Sequence, residues 1–284
     1  MLTTDQIDPV VRSALAEDAP WGDVTSEFLI PVDAKASARL VAREPGVFSG
    51  GDVFRAAMIL TDRTIEVTIA AQDGEPFEAG TVLAEVSGPA RSVLRAERVA
   101  LNFVQRMSGI ATLTSRFVAE VAGTRARIVD TRKTTPGLRL FERHAVRSGG
   151  GHNHRFSLSD AVMAKDNHLA VLTAGGRDIT EALLEVRSKL SHTTHIEVEV
   201  DRADQIEAVL AARVDTIMLD NFDLQQLRDG VALVAGRALV EASGSVTLET
   251  VGDVARTGVD IISVGALTHS VRSVDLGLDI EVST

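Results

Sequence analysis

After residue 125 the chain repeats one pattern. Short apolar runs rich in Val and Ile recur as "ARIVD" (126–130), "AVMA" (161–164), "IEVEV" (196–200), "TIMLD" (216–220), "ALVEA" (238–242) and "IISVG" (261–265). Between most of them lie amphipathic helical patterns, near 137–147, 178–190, 202–212, 223–234 and 247–257. Alternating strand and helix specifies parallel βαβ units. A continuously apolar strand is buried on both faces, as in a barrel or a doubly wound sheet. Six units are fewer than the eight of a closed barrel, so an irregular, incomplete parallel α/β barrel is predicted over 111–269.

The first hundred residues read differently. "ASARLVARE" (36–44), "TIEVTIA" (64–70) and "GTVLAEVSG" (80–88) alternate as strands with one wet face. Residues 5–17 and "GDVFRAAMIL" (51–60) read as helices. A smaller N-terminal α/β sandwich domain is therefore expected over 1–110, with a tail of 270–284 packing back on it. The stretch 90–124 has helical apolar spacing, with a break predicted at Gly109.

In a parallel fold all strand C-termini lie on one face, and sites are built there. Here each apolar run ends in chemistry. "ARIVD" runs into Thr131-Arg132-Lys133, and "AVMA" into Lys165-Asp166-Asn167-His168. "IEVEV" carries Glu197 and Glu199, and "TIMLD" ends at Asp220-Asn221. "ALVEA" runs into Ser243-Gly244-Ser245, and "IISVG" into Gly265-Ala266. A polar residue after a buried strand is commonplace for one strand and harder to dismiss for six. "SGS" (243–245) and "VGAL" (264–267) each open a helix or turn, and glycine there lets backbone N–H groups approach a phosphate. Glu199 and Asp220 beside such a site need a divalent cation, a developing positive charge on the substrate, or merely an ion-pair partner.

Charge sharpens the ligand. From Arg125 to His168 nine Lys/Arg face four acids, a balance of +5 in a chain of net charge −11, so the remainder carries −16. Focused positive charge in an acidic body suits a small polyanion in a cleft. Only 4% of residues are aromatic, which argues against a nucleic-acid surface. No apolar run is long enough for a membrane span and no secretory leader is visible at the N-terminus, so a cytoplasmic location is expected. The absence of cysteine excludes disulfides and thiol catalysis. Arg132, Arg155 and Lys165, with His154, suit a clamp for carboxylates. Arg139, Arg143 and Arg147 recur every four residues and read as a solvated helix face. "GHNHR" (151–155) has His-x-His spacing, but its cationic neighbours oppose a zinc site.

Nine ordered motifs then carry a resemblance: "EDAPWGDVTSEFL" (17–29), "ERVALNFVQRMSGIAT" (97–112), "DTRKTTPGLR" (130–139), "RSGGGHNHR" (147–155), "KDNH" (165–168), "EVEVD" (197–201), "LDNF" (219–222), "EASGS" (241–245) and "SVGALTHS" (263–270). Together they resemble the quinolinate phosphoribosyltransferase family over nearly the whole chain. In the early motif Ala19-Pro20-Trp21 stand where the family has Leu-Gly before its Gly-Asp, a change of loop. The resemblance implies an enzyme of NAD biosynthesis that makes nicotinate mononucleotide, CO₂ and pyrophosphate from quinolinate and phosphoribosyl pyrophosphate, with Mg²⁺. It implies Arg132, His154, Arg155 and Lys165 at the quinolinate, and Lys133, beside Thr131, near the phosphates. Glu199 and Asp220 fall on the ribose and Mg²⁺ side. Ser243, Gly244, Ser245, Val264, Gly265 and Ala266 fall on the 5′-phosphate loops. Lys133, Lys165, Glu199 and Asp220 carry the catalytic roles. It further implies a homodimer in which Arg98 reaches across the interface into the neighbouring site, and neither nucleic acid nor membrane as partner.

Overall fold

A computed structural model describes residues 2–283. The first elements are α1 (Thr4–Asp18), α2 (Val24–Leu29), β1 (Lys35–Ala42), β2 (Gly46–Val47), α3 (Gly51–Thr61), β3 (Glu66–Ile69), β4 (Pro76–Phe77), β5 (Val82–Pro89) and α4 (Ala90–Glu120). Then come β6 (Arg127–Val129), α5 (Arg139–Ser148), β7 (Val162–Ala164), α6 (Asp166–Leu172), α7 (Ile179–Lys189) and β8 (Ile196–Val200). The last are α8 (Ile206–Ala211), β9 (Thr216–Asp220), α9 (Leu224–Val234), β10 (Leu239–Ser243), α10 (Leu248–Ala255), β11 (Ile261–Ser263), α11 (Ala266–His269) and β12 (Leu276–Ser283). They form two compact units: Met1–Ser115 with Thr134–Gly150 and Leu267–Thr284, and Arg116–Lys133 with Gly151–Ala266.

The first unit holds a four-stranded antiparallel sheet in the order β12-β1-β5-β3. Along β1, Ala36, Ala38, Leu40 and Ala42 are buried while Lys35, Ser37 and Arg39 are exposed, the alternation of a half-wet strand. β12 pairs with β1 in continuous antiparallel register from Lys35↔Ser283 to Ala42↔Leu276. On α4, Val93, Ala96, Ala100, Val104, Met107 and Ala111 recur at helical spacing and are buried.

α4 is one helix of 31 residues, so Gly109 does not break it. A Cβ at Gly109 would lie 2.3 Å from the Arg272 carbonyl oxygen. The glycine is there for close backbone approach, which costs helix propensity but lets the segment ahead of β12 cross the helix.

α5 belongs to the first unit, although its sequence position lies between two strands of the parallel sheet. Phe141 is buried, with its ring 5.6 Å from that of Phe103 on α4. Glu142 is also buried and accepts from Arg106 Nε (3.0 Å) and Nη2 (2.6 Å), from Thr135 N–H (3.0 Å) and from Thr135 Oγ1 (2.7 Å). Arg106 Nη2 also donates to the Thr268 carbonyl at 2.7 Å. A buried carboxylate is tolerable only when satisfied in this way. Of the three arginines read as a solvated face, only Arg147 is exposed. Arg139 and Arg143 are half-buried.

The second unit holds six strands, all parallel, in the order β6-β11-β10-β9-β8-β7. The ladder is open between β6 and β7, so the barrel is incomplete as expected. One bridge extends it: His152 lies parallel to Val129, donating its N–H to the Ile128 carbonyl (2.8 Å) and accepting from Asp130 N–H (3.2 Å).

Gly109→Ala tests the close approach on α4. It should lower stability by roughly 1–3 kcal/mol, the usual range for forced overpacking, despite the better helix propensity of alanine. Urea denaturation measures this, and an unchanged or raised midpoint would show that the crossing segment yields freely.

Candidate active site

Register in the parallel sheet decides which residues share a face. Glu197 pairs with Thr216 and Glu199 with Met218, while Met218 pairs with Glu241 and Asp220 with Ser243. Strand side chains alternate, so Glu197, Glu199, Asp220, Glu241 and Ser243 point to one side and Val198, Ile217, Leu219, Val240 and Ala242 to the other. The second set is buried hydrophobic packing. The first is the inner, polar face.

The sequence-predicted residues of the second unit gather at the C-terminal edge of this sheet. Thr131, Arg132 and Lys133 follow β6, Lys165 follows β7, Glu199 lies within β8, and Asp220 ends β9. Ser243 ends β10, with Gly244 and Ser245 beyond it, and Val264, Gly265 and Ala266 follow β11. Lys165 Nζ is ion-paired with Glu199 Oε2. Asp220 accepts from Asn221 Nδ2 at 2.8 Å. Gly244 has φ +106° and Ser245 φ 47°. A Cβ at Gly244 would lie 2.2 Å from Asn221 Oδ1, so this turn needs glycine for both conformation and space. His168, quoted in the sequence with Lys165, uses its ring locally: Nδ1 accepts from Lys165 N–H at 3.0 Å at the start of α6.

His154 and Arg155 lie on the segment that leaves the open seam beside β6. Buried Asp130 fixes it, accepting His154 N–H at 2.8 Å and Asn153 Nδ2 at 2.5 Å. His154 Nε2 lies 3.1 Å from Glu197 Oε2 and 3.4 Å from Glu241 Oε2. Burial lowers the imidazole pKa, and the bonds to both glutamates push it up again. One contact opposes a second ring proton: Arg155 N–H donates to Nδ1 at 2.7 Å and needs a lone pair there. The geometry therefore places the ring proton on Nε2, between the two carboxylates. Burial also raises the Glu197 pKa, with the neighbouring Glu241 charge adding to it. Arg155 is half-buried, donates from Nη1 to the Ala161 carbonyl at 3.1 Å, and has its pKa lowered by burial and then by the nearby Arg132 charge. The Glu197 and Asp160 charges offset part of that repulsion.

Arg98 belongs to the first unit, where it is exposed on α4. Glu197, Glu241, Asp130 and Asn153 were not picked out as site residues by the sequence reading. The alternation of "IEVEV" puts Glu197 on the same face as Glu199, the one signal that could have found it. Among the described residues, the cluster compact enough to ligate a metal is His154, Glu197 and Glu241, with ligand atoms within 4.8 Å of one another. Glu199 and Asp220 form no such cluster with a third group. They offer hard oxygen donors that fit Mg²⁺ only when a substrate completes the coordination.

Residues 23–108 match the family model described as the quinolinate phosphoribosyl transferase N-terminal domain, and 110–279 match that of its C-terminal domain. The chain is 40% identical to a probable nicotinate-nucleotide pyrophosphorylase [carboxylating] of Bacillus subtilis, over 98% of this chain and 94% of that one. It is 42% identical to the nicotinate-nucleotide pyrophosphorylase [carboxylating] of Mycobacterium leprae, over 97% and 98%. The crystal structure of NadC from Streptococcus pyogenes superposes with a TM-score of 0.94 at 39% identity, covering 100% of this chain and 99% of that one. By both halves of its length the chain belongs to the quinolinate phosphoribosyltransferase family.

Proposed function

We propose that the charged edge of the parallel sheet is where this chain carries out its reaction, the transfer of a phosphoribosyl group from phosphoribosyl pyrophosphate to quinolinate with decarboxylation, in NAD biosynthesis. The observation that carries the assignment is the meeting of Arg132, Arg155 and Lys165 with Glu199 and Asp220 at one edge. Quinolinate is a dianion, and Arg132, Arg155 and Lys165 take its carboxylates, while His154, implied at the same place by the resemblance, stands beside them with its ring nitrogens held by Glu197, Glu241 and the Arg155 N–H. Lys133 and Thr131 face the pyrophosphate. The turns at Ser243–Ser245 and Val264–Ala266 receive the 5′-phosphate through backbone N–H groups.

The C1–oxygen bond of the ribose breaks first, and pyrophosphate leaves with the electron pair. Glu199 and Asp220 stabilise the positive charge that develops on the sugar. The pyridine nitrogen then attacks C1 and becomes quaternary. The adjacent carboxylate leaves as CO₂, its bonding pair stays on the ring carbon beside the cationic nitrogen, and that carbon takes a proton from water. Lys165 stays paired with Glu199 until the substrate carboxylate competes for it, so the ammonium does not hold that carboxylate too tightly to lose it. Mg²⁺, carried in on the pyrophosphate and held by Glu199 and Asp220, would supply neutralisation of the leaving group.

We further propose a homodimer with Arg98 delivered to the neighbouring site. In support, Trp21, Phe28, Leu29 and Val32 are exposed on and around α2, an apolar patch of the kind a second copy covers. No helix among the described residues is long and apolar enough to cross a membrane. We place the enzyme in the cytoplasm, where such highly charged substrates are soluble, with no nucleic acid or membrane as partner.

Arg155→Ala should weaken quinolinate binding by about 2–5 kcal/mol and binding of phosphoribosyl pyrophosphate far less. Calorimetry with each ligand checks this, and equal losses would remove Arg155 from the specific site. Glu199→Gln and Asp220→Asn should lower kcat with little change in quinolinate affinity and should shift the Mg²⁺ dependence. Full activity in both would end their proposed role. Arg98→Ala and Lys165→Ala should each be inactive yet folded. Mixed under subunit exchange, they should return about a quarter of wild-type activity, because half the dimers are mixed and each mixed dimer has one intact site. Exchange verified by mass spectrometry without recovery would take Arg98 out of the neighbour's site.

A further inference from the structure

Both ring nitrogens of His154 are engaged within the chain. Nε2–H faces Glu197 and Glu241, and Nδ1 accepts the Arg155 N–H. The residue's own N–H goes to buried Asp130. His154 is thereby held from three directions: by Asp130 after β6, by Glu197 on β8 and by Glu241 on β10. The side chain that follows in sequence, Arg155, is the cation that feels the Arg132 charge.

The two glutamates are otherwise hard to account for. They are 4% and 1% exposed, and on each the Oε1 atom is buried without a hydrogen-bond partner. A buried carboxylate in that state is costly unless it shares a proton or holds a donor in place. Phosphate oxygens would be repelled by them, and their burial leaves no access for a sugar hydroxyl. The groups they do engage are His154 and each other.

From this geometry we infer that Glu197 and Glu241 are positioning residues: through the His154 ring they fix the peptide N–H of Arg155, and so aim the Arg155 guanidinium at a substrate carboxylate. The segment lies beside the open edge of β6, where His152 pairs with Val129. Glu197 comes from β8, next to β7 in the sheet order, and Glu241 from β10, two strands from β6.

This inference rests on the proposed role of Arg155. The test combines binding and ring-nitrogen spectroscopy on the full-length protein. Glu197→Gln and Glu241→Gln keep size but weaken acceptance of the Nε2–H. Each should raise the Kd for quinolinate about tenfold through misplacement of Arg155, with less than about a twofold change for phosphoribosyl pyrophosphate. His154→Gln should do the same, because it removes the acceptor for the Arg155 N–H. In the wild-type protein, ¹⁵N spectra at neutral pH, assigned by comparison with His154→Gln, should show a proton on Nε2 of His154 and none on Nδ1. Normal quinolinate affinity in both glutamine variants, while Arg155→Ala loses it, would overturn the inference and leave the site assignment standing. Normal affinity in Arg155→Ala would overturn both. Stoichiometric zinc or manganese in the purified protein, lost on Glu241→Gln, would make the cluster a metal site and overturn the inference. Should a glutamine variant fail to fold, the wild-type spectrum decides alone, and a proton on Nδ1 contradicts the geometry.

Discussion

Parallel pairing puts every strand's C-terminal end on the same edge of the sheet, and the second unit is organised by that constraint. It gathers residues far apart in sequence without any long loop having to reach. It also forces a problem of charge, because the same edge collects both signs. The chain's answer is pairing at different depths. Lys165 holds Glu199 near the surface, where solvent and a substrate can compete for the ammonium. Deeper in, Glu197 and Glu241 share the proton of His154, where neither solvent nor substrate has access to the glutamates. The upper pair is exchangeable and suits chemistry. The lower group is fixed and suits support.

The open seam between β6 and β7 explains why support is needed. A closed barrel would set the direction of every strand end by ladder hydrogen bonds. Here the crossover from β6 to β7 spends its helix, α5, in the other unit, where Phe141 and Glu142 are buried. The returning chain pairs with β6 at His152 and is then held by Asp130 through Asn153 and His154. Side-chain bonds thus do the work of a ladder at the proposed carboxylate clamp.

Sequence periodicity was sufficient for most of this architecture. The six apolar runs are the six parallel strands, and the alternation in residues 36–44 is the half-wet strand β1. Placing chemistry at strand ends was also legible, because a parallel sheet leaves no other common edge. Three things were not. Gly109 reads as a helix breaker locally, and only the crossing of Arg272 explains why it stays inside α4. The membership of α5 depends on Phe103 and Arg106, contacts that a period cannot encode. Glu197 and Glu241 show by alternation which face they take, but not that a histidine from the seam lies between them. Arg132 and Arg155 were legible as clamp candidates by type and by resemblance. The effect of one charge on the other is visible only in space.

The central claim is that this edge is built for a dicarboxylate and removes one of its carboxylates. Purified protein should be given phosphoribosyl pyrophosphate and Mg²⁺ with either quinolinate or nicotinate, and pyrophosphate and CO₂ should be followed together. The account predicts that quinolinate yields the two products in equal amounts and that nicotinate, with one carboxylate for the Arg132–Arg155 pair, turns over poorly. Comparable turnover of nicotinate, or pyrophosphate release from quinolinate without CO₂, would contradict it.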